Sequence, residues 1–200
     1  MLEKIDRFVQ VARSSPRFQN VISQRSAPAK ESEVTALADL LAKVGMDDAA
    51  RAPLLEFYGL HDGLTLRWEL AELTHPDYIT AGNTSITPLA PFLAKLARAR
   101  EGLIPFDTTS DLRQVMIRVR GARPELRYFD ADSGKDHPLD MDFARYFRLL
   151  DECRALRPWQ EILIEAKSFK LEPVLRRKFF ADLKLLFEDA DPRLFGATRS

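Results

Sequence analysis

Two histidines and two aspartates lie close together in the sequence, His61 with Asp62 and His75 with Asp77. Imidazole and carboxylate groups bind metal ions and act as general acids and bases, so these residues define one hypothesis, a metal-dependent enzyme. The competing interpretation is architectural. In that interpretation the segment is a helix stop, at which Gly63 can take positive φ and Asp62 can accept hydrogen bonds from local backbone amides. His75 and Asp77 then lie in a polar loop, and we favour this second interpretation.

A nucleophilic cysteine is the second chemical possibility. Cys153 is the only cysteine, so no intramolecular disulfide can form. A reactive thiol would need a histidine beside it, whereas Cys153 follows Leu150 by one helical turn, a spacing typical of core packing. The P-loop, dinucleotide-binding, zinc-protease and serine-nucleophile motifs are missing from the sequence. We therefore expect a protein that is not an enzyme and that uses no cofactor and no metal.

The composition limits the classes of partner. The chain has 200 residues, of which 46% are hydrophobic and 30% charged. Its 30 lysines and arginines balance 30 aspartates and glutamates, so no net field attracts nucleic acid. No apolar run approaches the ~18 residues of a membrane span, and the N-terminus lacks the apolar core of a signal peptide. We expect a cytoplasmic protein that binds neither nucleic acid nor membrane.

Apolar residues recur at helical spacing near both ends of the chain, and they alternate with polar residues in its middle. Helices are predicted at 2–13, 32–44, 91–100, from Pro53, from an Asp140 cap, and from Pro158 and Pro173 onward. Residues 14–31 read as a loop or strap. Strands are predicted at 64–70, 85–87, 103–107, 113–120, 126–130 and 138–139.

This order predicts an α+β fold. An antiparallel sheet of about four to six strands carries helices mainly on one face, with N- and C-terminal helical extensions. Trp68, Phe143 and Phe147 are expected in the shared core.

Three arginines on the predicted strands form the candidate partner-binding site. Because successive side chains of a strand point to opposite faces, Arg67, Arg118 and Arg127 are expected on the polar face of the sheet. Guanidinium groups bind carboxylates in a planar, bidentate geometry, so this face can recognise an acidic surface. The alternative is that the arginines only solvate the sheet and are neutralised by nearby carboxylates. Those carboxylates are Glu125, Asp130 and Asp132.

Several segments, taken in order, carry a resemblance to a known family. They are "SEVTALADLLAKVG", "PLLEFYGLHDGLTLRWEL", "ITPL", "LIPFDTTSDLRQVMIRV" and "PELRYFDADSGKDHPLDMDFARYFRLL". The chain resembles the SUKH superfamily over residues 32–156. That fold is shared by a fungal cell-wall-assembly regulator and by many bacterial immunity proteins.

The resemblance implies a non-enzymatic protein-binding module that binds and neutralises a cognate bacterial polymorphic toxin. With the chain length, it predicts a single domain over 1–200. Residues 1–31 form an N-terminal helix and strap, 32–156 the SUKH-like core, and 157–200 a C-terminal helical extension. A regulatory or scaffold protein docking on cellular machinery is the alternative, favoured by the broad apolar surface of the last predicted helix. Monomer and homodimer both stay open.

Overall fold

The computed structural model describes residues 1–72, 79–98, 102–120, 122–164 and 171–196. Its helices are α1 (Glu3–Ala12), α2 (Glu31–Lys43), α3 (Asp48–Leu60), α4 (Leu89–Leu96), α5 (Phe143–Cys153), α6 (Trp159–Ile162), α7 (Pro173–Leu186) and a 3-10 helix at Pro192–Phe195. Its strands are β1 (Phe18–Arg25), β2 (Leu64–Leu70), β3 (Ala81–Ile86), β4 (Leu103–Ser110), β5 (Arg113–Arg120), β6 (Arg123–Asp130) and β7 (Lys135–Pro138). None of these helices has the length and apolar character needed to cross a bilayer.

The strands form one antiparallel sheet in the order β1-β2-β3-β4-β5-β6-β7. This confirms the predicted α+β fold, with more strands than expected. The additional strand is β1, in a segment where the sequence predicted a loop or strap, and that prediction is wrong. Polar residues dominate β1, and Asn20 has a φ of +54°, so the alternation that marks a half-buried strand is broken there.

The second half of the sheet extends further than its apolar alternation predicted. β6 begins at Arg123, which pairs with Arg120 of β5, so this strand starts three residues before the predicted 126–130. β7 covers Lys135–Pro138 instead of the predicted 138–139. Backbone pairing continues through residues of any polarity, because the hydrogen bonds of a ladder do not depend on the side chains.

α3 begins earlier than predicted. The Asp47 side chain accepts a hydrogen bond from the Ala50 amide at 2.7 Å and caps the helix there. Pro53, which was expected to open the helix, lies inside it, so one helical hydrogen bond is absent at that turn. The prediction was wrong because proline at the first turn and proline in the interior leave the same local sequence pattern.

α5 also has a different cap from the one predicted. The helix begins at Phe143, and Asp142 Oδ1 accepts a hydrogen bond from the Arg145 amide in its first turn at 2.8 Å. Asp140, the predicted cap, lies two residues before the capping position. By contrast, Gly45 follows the end of α2 with a φ of +86°, which is the predicted helix stop.

The described residues fall into two compact units. The first unit comprises residues of Met1–Ser23, Leu66–Asn83 and Phe147–Ser200, and the second comprises residues of Gln24–Thr65 and Thr84–Tyr146. The subdivision at residues 31 and 156 that the sequence suggested stays a prediction.

The core of the first unit is built around Trp68, which is fully buried as predicted. Its indole N–H donates to the Arg154 carbonyl at 2.8 Å. Phe8 and Phe187 meet the indole edge-on, with ring centroids 5.4 and 5.9 Å away. Gly82 lies against the same ring, so the tryptophan is enclosed on several sides. Phe147, also predicted in the core, is buried in this unit.

Phe106 of β4 is the centre of the second unit's core. The rings of Phe143 and Tyr146 from α5 both lie 5.6 Å from it, and Phe92 of α4 lies 6.3 Å from it. Two helices therefore pack on this strand, and Phe143 is buried as predicted. On β5 and β6 the alternate apolar side chains are buried as well. They are Val115, Ile117, Leu126 and Tyr128.

Candidate functional site

The turn at residues 61–63 is a structural joint. α3 ends at Leu60, and Gly63 has a φ of +85°, as the helix-stop interpretation predicted. A Cβ on Gly63 would lie 2.9 Å from the Ile86 carbonyl oxygen, so the close approach of two backbones also requires glycine.

Asp62 has a specific task in this joint. Its Oδ1 accepts a hydrogen bond of 2.6 Å from the amide of Leu89, the first residue of α4. The predicted acceptor role is therefore present, but the donor is 27 residues away and not local as predicted. A carboxylate at the first turn of a helix satisfies an amide that has no helical partner and interacts favourably with the helix dipole.

The metal-site hypothesis joined His61 and Asp62 to His75 and Asp77. His75 and Asp77 lie outside the described residues. Within the residues that are described, no group of three or more His, Cys, Asp or Glu side chains is arranged to hold a metal ion. The structure thus gives Asp62 an architectural role and leaves its pairing with the second histidine as a prediction.

The predicted arginine face is clearest on the β5–β6 hairpin. Met116 pairs with Arg127 and Arg118 pairs with Glu125 in the register of the two strands. Because Met116 and Arg118 are two residues apart, Arg118 and Arg127 lie on the same face of the sheet, as predicted. β7 adds Asp136 to that face through its pairing with β6.

These side chains neutralise one another. Glu125 Oε2 lies 3.5 Å from Arg118 and 3.2 Å from Arg127, and Asp136 Oδ2 lies 3.6 Å from Arg118 and also binds the Nε of Arg127. We call these four residues the charge mosaic. The Arg127 side chain is only 16% exposed, so the face is a balanced pattern of fixed charges and not an open cationic patch.

The carboxylates named from the sequence divide between two roles. Glu125 belongs to the charge mosaic, whereas Asp130 and Asp132 pair with Arg113 at 2.6 and 2.8 Å. Asp136 was missed, because its strand is short and polar. Its position could have been found only from the pairing of β7 with β6.

Arg67, the third predicted binding residue, belongs to the first unit. Its Nη2 donates to Glu69 Oε1 at 3.0 Å, and Asn20 donates to the other oxygen of the same carboxylate at 2.8 Å. The hydrogen bonds from Asn20 and Arg67 lower the pKa of Glu69. Arg67 is more than half exposed. Its placement relative to the charge mosaic stays a prediction.

Cys153 is inside the first unit's core. Its side chain is fully buried, and burial raises the pKa of the thiol well above its ordinary value. The reactive form of cysteine is the thiolate, which a buried apolar site disfavours. The core-packing interpretation of Cys153 is therefore the one that its surroundings support.

We expect the Cys153 thiol to react with iodoacetamide on the order of 100-fold more slowly in the folded protein than in urea, because burial blocks both access and ionisation. Mass spectrometry of samples quenched over time measures both rates. Equal rates under the two conditions would contradict this and restore the nucleophile hypothesis.

Asp107 is a buried carboxylate that the sequence analysis did not single out. Oδ2 accepts hydrogen bonds from the hydroxyls of Thr84 and Tyr146, both at 2.6 Å, and Oδ1 accepts one from the Ser85 amide at 2.7 Å. Burial raises the pKa of Asp107 although these three hydrogen bonds act in the opposite direction. The carboxylate ties β3, β4 and α5 together within the second unit.

The position of Asp107 carries one weak signal in the sequence. It follows the apolar "LIPF" run in a segment where a strand was predicted, and a charged residue that is buried there needs partners. Those partners come from segments 22 and 39 residues away, so only the folded chain identifies them.

No protein-family model matches the chain, and neither a curated protein nor a solved structure is significantly similar to it. The resemblance to the SUKH superfamily therefore stays a prediction from sequence motifs.

Proposed function

We propose that this chain is a non-enzymatic protein-binding module, an immunity protein that binds and neutralises a cognate bacterial toxin. The observation that carries the proposal is the charge mosaic on β5, β6 and β7. Two arginines and two carboxylates are held there by a hydrogen-bonded sheet and by one another. Charges fixed before binding lose little conformational entropy when a partner arrives, so they favour specific recognition.

The mosaic also defines the kind of partner surface that would fit. Glu125 and Arg118 are its more exposed members. A complementary partner therefore presents a cation to Glu125 and a carboxylate to Arg118. A surface with this alternation suits a toxin domain of mixed charge better than a strongly basic nuclease. Inhibition would be steric, with an interface of about 800 Å² per partner covering the toxin's active site or its surroundings.

The first test captures the partner. The tagged chain is purified from the cell that encodes it after chemical crosslinking, and the proposal expects a secreted toxin domain crosslinked to residues near β5–β7. Capture of a cytoplasmic assembly, with crosslinks elsewhere, would favour the scaffold alternative and count against immunity.

The second test is a prediction about charge reversal. We expect the double variant Arg67→Glu/Arg118→Glu to bind the captured toxin domain more than about tenfold more weakly than the native chain, because like charges then face the partner's carboxylates. The melting temperature should change by less than about 4 °C, since ion pairs that stay in contact with solvent contribute ~1 kcal/mol or less. Titration calorimetry and thermal unfolding measure the two quantities.

Arg98→Glu is the matched control, because Arg98 is an exposed arginine two residues after the end of α4 and outside the mosaic. It should bind like the native chain. If the double variant also binds like the native chain, partner recognition does not use this face. If the double variant does weaken binding, the single Arg118→Glu variant separates the contribution of the hairpin from that of β2.

A regulatory or scaffold protein is the second candidate function. It is favoured by the apolar exposure at the two ends of α7, where Val174 in the first turn is 40% exposed and Leu185 in the last turn is 59% exposed. Apolar side chains on a helix surface are typical of docking sites for other proteins. Normal resistance of a deletion strain to the candidate toxin would support this alternative.

A further inference from the structure

The first unit contains an open groove that the proposed function does not use. It lies between α1, the residues that lead into β1, and the C-terminal end of α7, and has a volume of about 500 Å³. Aromatic rings of Phe8, Phe18 and Phe187 line it. The Phe8 ring contacts the other two edge-on, with centroids 5.1 and 5.5 Å away.

One side of the groove, which we call the α1 rim, is apolar and cationic. Arg7 and Val11 are four residues apart on α1 and therefore lie on the same face of the helix. Val11 is 64% exposed. The Arg7 side chain is 68% exposed, and its Nη2 lies 4.0 Å from Asp189 Oδ2. Arg17 adds a second exposed cation to this rim.

The opposite side, the α7 rim, is apolar and acidic. Leu185 near the end of α7 is 59% exposed, and Glu188 is an exposed carboxylate three residues later. The next residue, Asp189, forms ion pairs with Arg154 and with Lys4. The Lys4 Nζ also donates a hydrogen bond to the Asp189 carbonyl oxygen at 2.6 Å. These bonds fix the backbone beside Glu188, so the rim is positioned before any partner binds.

We propose that this groove is the contact surface of a homodimer, in which the α1 rim of one copy packs on the α7 rim of a second copy. A two-fold axis makes every contact occur twice, so residue i meets residue j and residue j meets residue i. Val11 then packs against Leu185 of the other copy, and Arg7 faces its Glu188. Both halves of the contact are present on one chain, with matched polarity and opposite charge.

Self-complementarity is the reason to choose a second copy over another occupant. An acidic peptide would match the α1 rim but would be repelled by Glu188, and a basic peptide would have the reverse difficulty. A second copy satisfies both rims at once. The exposed Val11 and Leu185 would leave water in the same step, which supplies the non-directional part of the driving force. This inference is independent of the toxin-binding proposal.

The experiment measures association of the purified full-length chain by sedimentation equilibrium between about 1 and 100 μM, a range that detects micromolar dimers. We expect a dimer for the native chain. Arg7→Glu and Glu188→Arg, each alone, should weaken self-association at least about tenfold, because each places like charges at both ends of the symmetric contact.

Mixing the two variants gives the decisive result. In a mixed pair, glutamate at position 7 of one copy meets arginine at position 188 of the other, while the second contact is native. We therefore expect an equimolar mixture of Arg7→Glu and Glu188→Arg to form a heterodimer with near-native affinity. The chain that carries both substitutions should form a homodimer again for the same reason.

Arg177→Glu, an exposed arginine on α7 that does not line the groove, is the control and should dimerise like the native chain. Thermal unfolding checks that each variant is folded. A native chain that stays monomeric at 100 μM overturns the proposal. So does an unchanged Arg7→Glu dimer, or a mixture that fails to associate although both variants are folded.

Discussion

Replacing Asp107 with alanine is expected to lower the free energy of unfolding by about 3–5 kcal/mol, because two buried hydroxyls and one partly buried amide lose their acceptor and each stranded donor costs about 1–3 kcal/mol. The donors are the Thr84 and Tyr146 hydroxyls and the Ser85 amide. Urea unfolding at pH 7, followed by circular dichroism and tryptophan fluorescence, measures the change.

Asp107→Asn is the matched control for this prediction. It keeps the shape and one acceptor oxygen, so we expect a smaller loss of about 1–2 kcal/mol. Tyr146→Phe removes only one donor and should fall in the same range. Equal losses for alanine and asparagine would mean that the hydrogen bonds at this carboxylate do not stabilise the second unit.

The pH dependence of stability gives a second readout of Asp107. Burial raises its pKa in the folded protein above the value of about 4 expected in the unfolded chain. The folded state therefore binds the proton more tightly, and the stability that this group contributes is complete below the unfolded pKa and is lost as the pH rises through the folded pKa. Asp107→Asn should remove that part of the slope, and a slope that persists unchanged would contradict the raised pKa.

Trp68→Ala is expected to destabilise the first unit by about 3–5 kcal/mol, the usual cost of removing a large aromatic side chain from a core. The substitution opens a cavity beside Phe8 and Phe187 and leaves the Arg154 carbonyl without its donor. The same urea unfolding experiment applies, with fluorescence replaced by circular dichroism. A loss below about 1 kcal/mol would place Trp68 outside the cooperative core.

Gly82 allows a sharper test of the same packing. A Cβ on Gly82 would overlap the indole Nε1 of Trp68, so Gly82→Ala forces the ring or the strand to move and should cost about 1–3 kcal/mol. In the Trp68→Ala background the clash is absent. We therefore expect Gly82→Ala to be nearly neutral there, and a double-mutant cycle that is additive would contradict the close approach.

Asp107 and Trp68 both depend on partners that are far away in the sequence. The strands that carry them follow from a local pattern, whereas their partners do not. Alternation over Leu64–Leu70 and over Arg113–Arg120 located β2 and β5 with their observed bounds. It did so because each strand buries one face, so polarity alternates along the chain. The same alternation placed Trp68 in the core and Arg118 with Arg127 on one face.

Capping and pairing required the tertiary structure. Proline and aspartate are each compatible with several positions near a helix start, so the sequence could not choose between Pro53 and Asp47 or between Asp140 and Asp142. β1 forms at the edge of the sheet with few buried side chains, so its residues carry little apolar pattern.

The candidate sites depended most on the folded chain. The sequence predicted only that Asp62, like other aspartates in turns, accepts a hydrogen bond from a backbone amide. The fold decides that the donor is the amide of Leu89. The charges of Glu125 and Asp136 were visible, but the register of three strands decides that they neutralise Arg118 and Arg127. Residue type and spacing thus determined the fold class and the polar face. The partners of each buried or paired charge were decided by tertiary structure, because hydrogen bonds and ion pairs act over a few ångströms between segments that are far apart in sequence.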